Sequence, residues 1–224
     1  MQARLVRTEQ VTDDIITYHL DVGQPYHYSP GQYLEMTVPH GQMDELGDWR
    51  QFTLSSSPHE DGLAVTMRYS ARPSSFKRAL AALRPGDTVN ITQATGDFIL
   101  PLDDATPLVW LAGGIGITPF RSMAAWLQHE HEQRPVQLLH CINKPEDAVF
   151  GAVLAGAGIS ADVFITNGRP MPDVVDIVRQ DSDSCQYFIS GPEPFVEYWQ
   201  DALRDSGSIE SHRIVTDAFL GYRQ

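Results

Sequence analysis

The sequence predicts two domains in series, an antiparallel β-barrel followed by a doubly wound parallel sheet with crossover helices, so the fold class is β followed by α/β. Three observations carry this. From Gln2 to about Leu100 the apolar residues come in short runs rich in Val, Ile, Thr and Tyr, broken by Gly and Pro, as a small barrel requires. From Pro107 onward, apolar strand-like runs alternate with helical stretches, as a parallel sheet requires. At the start of that second texture stands Gly113-Gly114-Ile115-Gly116-Ile117-Thr118-Pro119, a glycine-rich turn between a strand-like run and a helical one.

Length and composition bound the function. A chain of 224 residues can build two small domains, each with a core. The stretch Pro101 to Pro107 reads as the linker, with a boundary between residues 103 and 104. Met1 is followed by charged and polar residues, and no uncharged apolar run approaches membrane-spanning length. A soluble, cytoplasmic protein without membrane insertion is therefore expected. The 29 acidic residues outnumber the 16 Lys and Arg, a net charge of −13 that argues against a nucleic-acid or anionic-membrane partner and is compatible with a basic protein partner. Cys141 and Cys185 are the only cysteines, too few for a four-thiolate iron–sulfur cluster. Both lie in apolar runs and are expected to be buried, and no metal site is predicted.

Within the barrel, Pro30-Gly31-Gln32-Tyr33-Leu34-Glu35-Met36-Thr37-Val38-Pro39 has the spacing of a strand. Residues 75–83 form a helical interruption, with Ser74-Ser75 at its start and Pro85-Gly86-Asp87 beyond its end, placed to cap the barrel. If Arg50-Gln51-Phe52-Thr53-Leu54-Ser55 is a strand, Arg50, Phe52 and Leu54 share one face, and Thr53 and Ser55 the other. A guanidinium, an aromatic ring and hydroxyls so close together can hold a phosphate and a flat ring. The same stretch also reads as a plain strand with polar edges running into a serine turn.

In the second half, the run 107–112 carries no charge and suits a strand buried on both faces. Gly113, Gly114 and Gly116 allow a tight turn and close approach to a ligand, Pro119 suits the first helical position, and Thr118 can cap. The helix N-terminus so formed attracts phosphate, so this is the candidate nucleotide site, although a turn of this kind can also serve only as a connection. Further strands are expected over 136–142, 162–166 and 186–190, and helices near 123–129, 174–180 and 195–205. Ligands of such sheets bind at the carboxyl ends of the strands, which places Gly113 and Gly191 together.

Arg50-Gln51-Phe52-Thr53 resembles the R-x-[YF]-[ST] flavin motif of the ferredoxin–NADP reductase family. Pro30-Gly31-Gln32-Tyr33 resembles that family's P-G-Q-[YF] strand, Gly96-Asp97-Phe98-Ile99-Leu100-Pro101 its G-x-F-x-L-P barrel exit, and Gly113 to Pro119 its nucleotide loop. Ser190-Gly191-Pro192 is similar to its C-G-P segment and Asp217-Ala218-Phe219 to its terminal E-x-F. The resemblance spans nearly the whole chain and is to the compact single-chain reductases without an iron–sulfur module.

The resemblance implies an FAD-binding barrel over residues 1–103 and an NAD(P)-binding domain over 104–224. Hydride would pass from nicotinamide C4 to flavin N5, and electrons onward to a separate acceptor, a protein or small molecule the sequence does not name. Arg50 would pair with the FAD pyrophosphate, Phe52 would lie along the flavin and Thr53 would hydrogen-bond N5, with Gln51 between them also counted as cofactor-binding. Met67, Arg68 and Ser74, Ser75, Phe76 and Lys77 would complete the FAD site, though the serines also suit ordinary helix capping. Gly113, Gly114, Gly116, Thr118, Pro119, Gly191 and Pro192 would line the nicotinamide-nucleotide site. Asn143, Lys144 and Arg169 lie where the family reads a 2′-phosphate, which leans the choice toward NADPH over NADH; they are otherwise surface charges. Ser190 stands where many members have Cys, and Asp217 where many have Glu or, if it has no role, as a solvated carboxylate. Phe219 would cover the flavin face and gate nicotinamide entry, with Tyr222 over the adenine side, unless both rings only fill a gap. The alternatives are a flavin reductase with flavin as substrate, and a non-catalytic electron-transfer or redox-sensing subunit of a larger complex.

Overall fold

A computed structural model describes residues 1–41, 43–167, 185–205 and 209–219. The chain divides into two compact units, Met1–Ile99 and Leu100–Gln224.

In the first unit, strands β1 (Gln2–Gln10), β2 (Ile15–Asp21), β3 (Tyr33–Thr37), β4 (Trp49–Thr53), β5 (Leu63–Arg68) and β6 (Thr88–Ile91) form one antiparallel sheet in the order β4-β3-β6-β1-β2-β5. Alternation decides which face is inward. Leu34 and Met36 of β3, Val89 and Ile91 of β6, and Ala3 and Leu5 of β1 point into a common core, with polar neighbours outward. The pairing of β1 with β2 shifts between Leu5 and Arg7, and Val6, skipped by the shift, is left exposed. The sheet curls on itself: Leu54 bridges to Val65, and Ser55 N–H donates to the Ala64 carbonyl at 2.8 Å, so that the chain leaving β4 meets β5. Helix α1 (Ser75–Ala82) inserts Phe76 and Leu80 into the barrel core, as expected for a barrel-capping helix.

The second unit is a parallel sheet of β7 (Leu108–Gly113), β8 (Val136–Ile142), β9 (Ala161–Ile165), β10 (Gln186–Pro192) and β11 (Ile214–Phe219), in the order β11-β10-β7-β8-β9. Its helices among the described residues are α2 (Thr118–His129), α3 (Gly151–Gly156) and α4 (Glu193–Asp205). Every residue of β7 is buried, as its lack of charge predicts for a central parallel strand. Successive side chains serve opposite layers: Trp110 stacks on Phe120 of α2 with ring centroids 5.0 Å apart, whereas Val109 and Leu111 join the core of Val196, Trp199 and Leu203 from α4. The expected strands correspond to β7, β8, β9 and β10; β11 is an addition, because Thr216 and Asp217 interrupt its apolar run. The expected helix over 174–180 lies outside the described residues. Cys141 and Cys185 are both buried and free, and burial alone pushes the Cys141 thiol up to about 12.

Strand order reverses beside β7, since β8 and β9 lie on one side and β10 and β11 on the other. The carboxyl ends of β7 and β10 therefore flank a switch point, where open α/β sheets bind ligands. No helix of the described residues is long and apolar enough to cross a membrane.

Candidate functional site

The flavin half is built on β4 and α1. Pleating places Arg50 and Phe52 on one face of β4, and α1 brings Phe76 against them. The Phe52 and Phe76 ring centroids are 5.8 Å apart, and the Arg50 guanidinium carbon lies 5.1 Å from the Phe76 centroid. Arg50 Nη1 donates to the carbonyls of Leu46 at 2.8 Å, Gly47 at 3.3 Å and Trp49, while Nη2 lies 3.9 Å from Asp44 Oδ1. Burial lowers the Arg50 pKa, and Asp44 and Asp48 oppose that shift.

At the N-terminus of α1, the Ser74 hydroxyl accepts from Lys77 N–H at 3.3 Å, the capping that its residue type predicts. Ser75 N–H donates to Asp44 Oδ2 at 2.6 Å, Asp44 N–H returns a bond to Ser75 Oγ at 3.0 Å, and Leu46 N–H donates to Asp44 Oδ1 at 3.1 Å. The Ser75 N–H, above all, holds the Asp44 carboxyl below the usual range. Lys77 Nζ donates to the Arg68 carbonyl at 2.6 Å, and burial, with Arg50 as the lesser cause, lowers its pKa. The Arg68 guanidinium lies 3.7 Å from Asp14 Oδ2. Met67 belongs to the barrel core, so its side chain faces away from any surface site and only its backbone is placed to contribute. Thr53 is buried at the end of β4, and Gln51 is exposed opposite Glu35.

This donor set fits a diphosphate-bearing flavin. The helix N-terminus and guanidinium already hold an anionic oxygen group, the Asp44 carboxylate, and Phe52 offers a half-buried flat ring beside them.

The nucleotide half lies at the switch point. Gly114 to Ile117 make one 3₁₀ turn, and α2 begins at Thr118 with Pro119 second. Thr118 does not cap: it already has helical dihedrals, and its hydroxyl donates to the Ile115 carbonyl at 3.2 Å. The glycines also differ in role from the uniform one expected. Among Gly113, Gly114, Gly116 and Gly191, only Gly114 joins left-handed geometry, φ +54°, to open space, with nothing within 4 Å of a would-be Cβ. A Cβ on Gly116 would lie 2.2 Å from the Ser190 carbonyl oxygen, and on Gly113 or Gly191 it would meet the Phe195 ring at 2.8 or 2.9 Å. Gly113 and Gly191 thus let the Phe195 ring pack close to β7 and β10, and Gly116 lets the 3₁₀ turn pack close to β10.

Parallel pairing sets Ser190 beside Asp217, and Ser190 Oγ donates to Asp217 Oδ2 at 3.2 Å. Phe219 pairs in register with Pro192 at the ends of the same two strands. After β8, Asn143 Oδ1 accepts from Thr166 Oγ1 at 3.1 Å, and Lys144 Nζ lies 3.9 Å from Asp147 Oδ1. Arg169 and Tyr222 lie outside the described residues.

Sequence reasoning missed three contributors. Asp44 sits in a loop without periodicity and reaches α1 only through the tertiary fold. Phe195 supplies the ring against Gly113 and Gly191. Buried His140 bonds through Nε2 to the Gly114 carbonyl at 2.8 Å, so that nitrogen carries the proton. A histidine inside the apolar run 136–142 was the one available signal.

An antiparallel barrel-like sheet followed by a parallel sheet with helices matches the ferredoxin–NADP reductase-like fold. Residues 2–99 match the family described as an oxidoreductase FAD-binding domain. In fold the chain is similar to the ferredoxin–NADP reductase-like flavoprotein reductases. It is 31% identical over 207 residues to an NADPH oxidoreductase of Mycobacterium tuberculosis, covering 86% of this chain and 53% of the relative. It is 26% identical over 246 residues to a flavohemoprotein of Bordetella pertussis, covering 96% and 60%. The chain thus spans little more than half the length of these curated relatives. In fold it is similar to a ferredoxin NADP⁺ reductase from Neisseria gonorrhoeae with bound FAD and NADP, with TM-score 0.81, 20% identity, and 97% and 98% of the two chains covered.

Proposed function

We propose that this chain is an NAD(P)H-dependent oxidoreductase that holds FAD on the barrel unit and a nicotinamide nucleotide at the β7–α2 turn, with electrons leaving to a separate acceptor. The observation that carries the reading is the match of residues 2–99 to an oxidoreductase FAD-binding domain. Bound FAD would supply the redox chemistry, taking hydride from the reduced nicotinamide and releasing electrons singly. The chain's own residues bind and orient. Arg50 and the α1 N-terminus would neutralise the diphosphate, Phe52 would lie along the ring, and Thr53 would offer its hydroxyl to the ring. Gly114 lets the phosphates of the nicotinamide nucleotide approach the start of α2, and His140 holds that turn through its carbonyl. Ser190 and Asp217, joined by their hydrogen bond, are the polar groups placed for the nicotinamide.

The test is an absorbance spectrum of the purified chain after addition of FAD, followed by anaerobic NADPH or NADH. Oxidised-flavin absorbance that bleaches with nucleotide is the expected result, and a chain that stays colourless with FAD present overturns the reading. Arg50→Ala is expected to weaken FAD binding by roughly tenfold to a hundredfold, the loss of a charge-assisted phosphate contact of about 1.5–3 kcal/mol.

Lys144, and Arg169 further along the chain, support a preference for NADPH. Because Lys144 is half exposed and shares its charge with Asp147, Lys144→Ala is expected to lower the NADPH-to-NADH ratio of kcat/KM by only roughly two- to fivefold. An unaltered ratio removes Lys144 from nucleotide selection.

A further inference from the structure

The barrel unit contains a carboxylate already seated on the groups that a diphosphate would use. Asp44 Oδ2 accepts Ser75 N–H at 2.6 Å at the first residue of α1, and Asp44 Oδ1 lies 3.9 Å from Arg50 Nη2. The seat is reinforced from both sides. Asp44 N–H donates to Ser75 Oγ at 3.0 Å, Leu46 N–H donates to Asp44 Oδ1 at 3.1 Å, and Arg50 Nη1 is drawn to the Leu46 and Gly47 carbonyls at 2.8 and 3.3 Å. The loop thereby engages both the helix N-terminus and the guanidinium, and the Ser74 hydroxyl takes a further first-turn donor, Lys77 N–H.

We infer that Asp44 is an internal competitor for the FAD diphosphate and so sets how strongly the chain discriminates between FAD and flavins that lack phosphate. The inference rests on the proposed flavin site. Its physical basis is charge: a carboxylate and a diphosphate repel, and one helix N-terminus with one guanidinium cannot fully satisfy both. FAD must displace Asp44 or share its donors, and either route takes free energy out of binding. Riboflavin carries no phosphate, so its affinity is indifferent to Asp44. A weakened hold on FAD would make the flavin more readily exchanged than the ring contacts alone predict.

The test is fluorescence-quenching titration of flavin-free protein with FAD and, separately, with riboflavin, on wild type, Asp44→Asn and Asp44→Ser, with thermal unfolding recorded for each. Asn keeps an oxygen acceptor for Ser75 N–H and removes the charge, and Ser gives a second neutral variant with a capping side chain. The expected result is FAD binding about tenfold tighter in Asp44→Asn, a gain of about 1.4 kcal/mol, with riboflavin affinity unaltered. FAD affinity that is equal or weaker in whichever neutral variant remains folded, while wild type binds FAD, overturns this inference alone. Equal tightening of FAD and riboflavin overturns it too, because the effect would then not be electrostatic. Failure of wild type and both variants to bind FAD overturns the flavin site itself.

Discussion

Gly116→Ala is expected to unfold the second unit at a temperature about 10 °C lower than wild type and to abolish nicotinamide-nucleotide binding, through a loss on the order of 3 kcal/mol. The added methyl would sit 2.2 Å from the Ser190 carbonyl oxygen, 2.6 Å from its carbon and 2.8 Å from Gly191 Cα. All three are backbone atoms of β10, whose pairing with β7 and β11 prevents a local retreat. The strain must therefore spread into the sheet or push the turn away from the switch point. Gly114→Ala provides the contrast: its Cβ meets nothing within 4 Å, and the cost is the left-handed dihedral, about 1 kcal/mol. That variant should melt close to wild type yet bind nucleotide less well, because the methyl stands in the open space above the turn. Thermal unfolding and nucleotide titration of the two variants separate packing from ligand approach. If Gly116→Ala melts with wild type, the close contact is not what the glycine serves.

Phe76→Ala is expected to cost about 3–5 kcal/mol, lowering the unfolding temperature of the barrel unit by roughly 15 °C or more, and to weaken FAD binding in the protein that remains folded. Phe76 is fully buried, so its removal leaves a cavity among Leu80, Leu34 and the other core side chains. It also supports the proposed flavin site, since Phe52 packs on its ring and the Arg50 guanidinium lies over it. Losing the ring frees both groups to reorient, and preorganisation is lost along with stability. Phe76→Leu should recover most of the stability, because it keeps much of the volume, but less of the FAD affinity, because it offers Arg50 no ring face. Calorimetry with a flavin titration on both variants decides the matter. Equal FAD affinity in the leucine variant and wild type would limit Phe76 to the core.

The elements legible in the sequence were those whose signal is local. Alternation in Tyr33–Thr37 states which side chains face inward, the uncharged β7 run states that both faces are covered, and the serines before residues 75–83 state where a helix starts. Strand pleating assigns the faces of Arg50, Phe52 and Thr53, whereas their grouping as a flavin motif was legible only through the family resemblance. What stayed hidden depends on register and strand order, which no short window encodes. Ser190 meets Asp217 only because β11 pairs in parallel with β10, and β11 was itself too mixed in character to be read.

The sequence by itself determined the order of barrel and switch-point sheet and marked the two stretches on which the proposed sites rest, because periodicity, glycine and proline placement act within a few residues. Only the tertiary structure decided which glycine faces open space and which is pressed against Ser190, that His140 bonds to the turn, and that the carboxylate at α1 is Asp44. Each of those facts is a contact between segments far apart in the chain. Such contacts are set by the packing of whole elements, and the residues that make them carry no local mark of their partner.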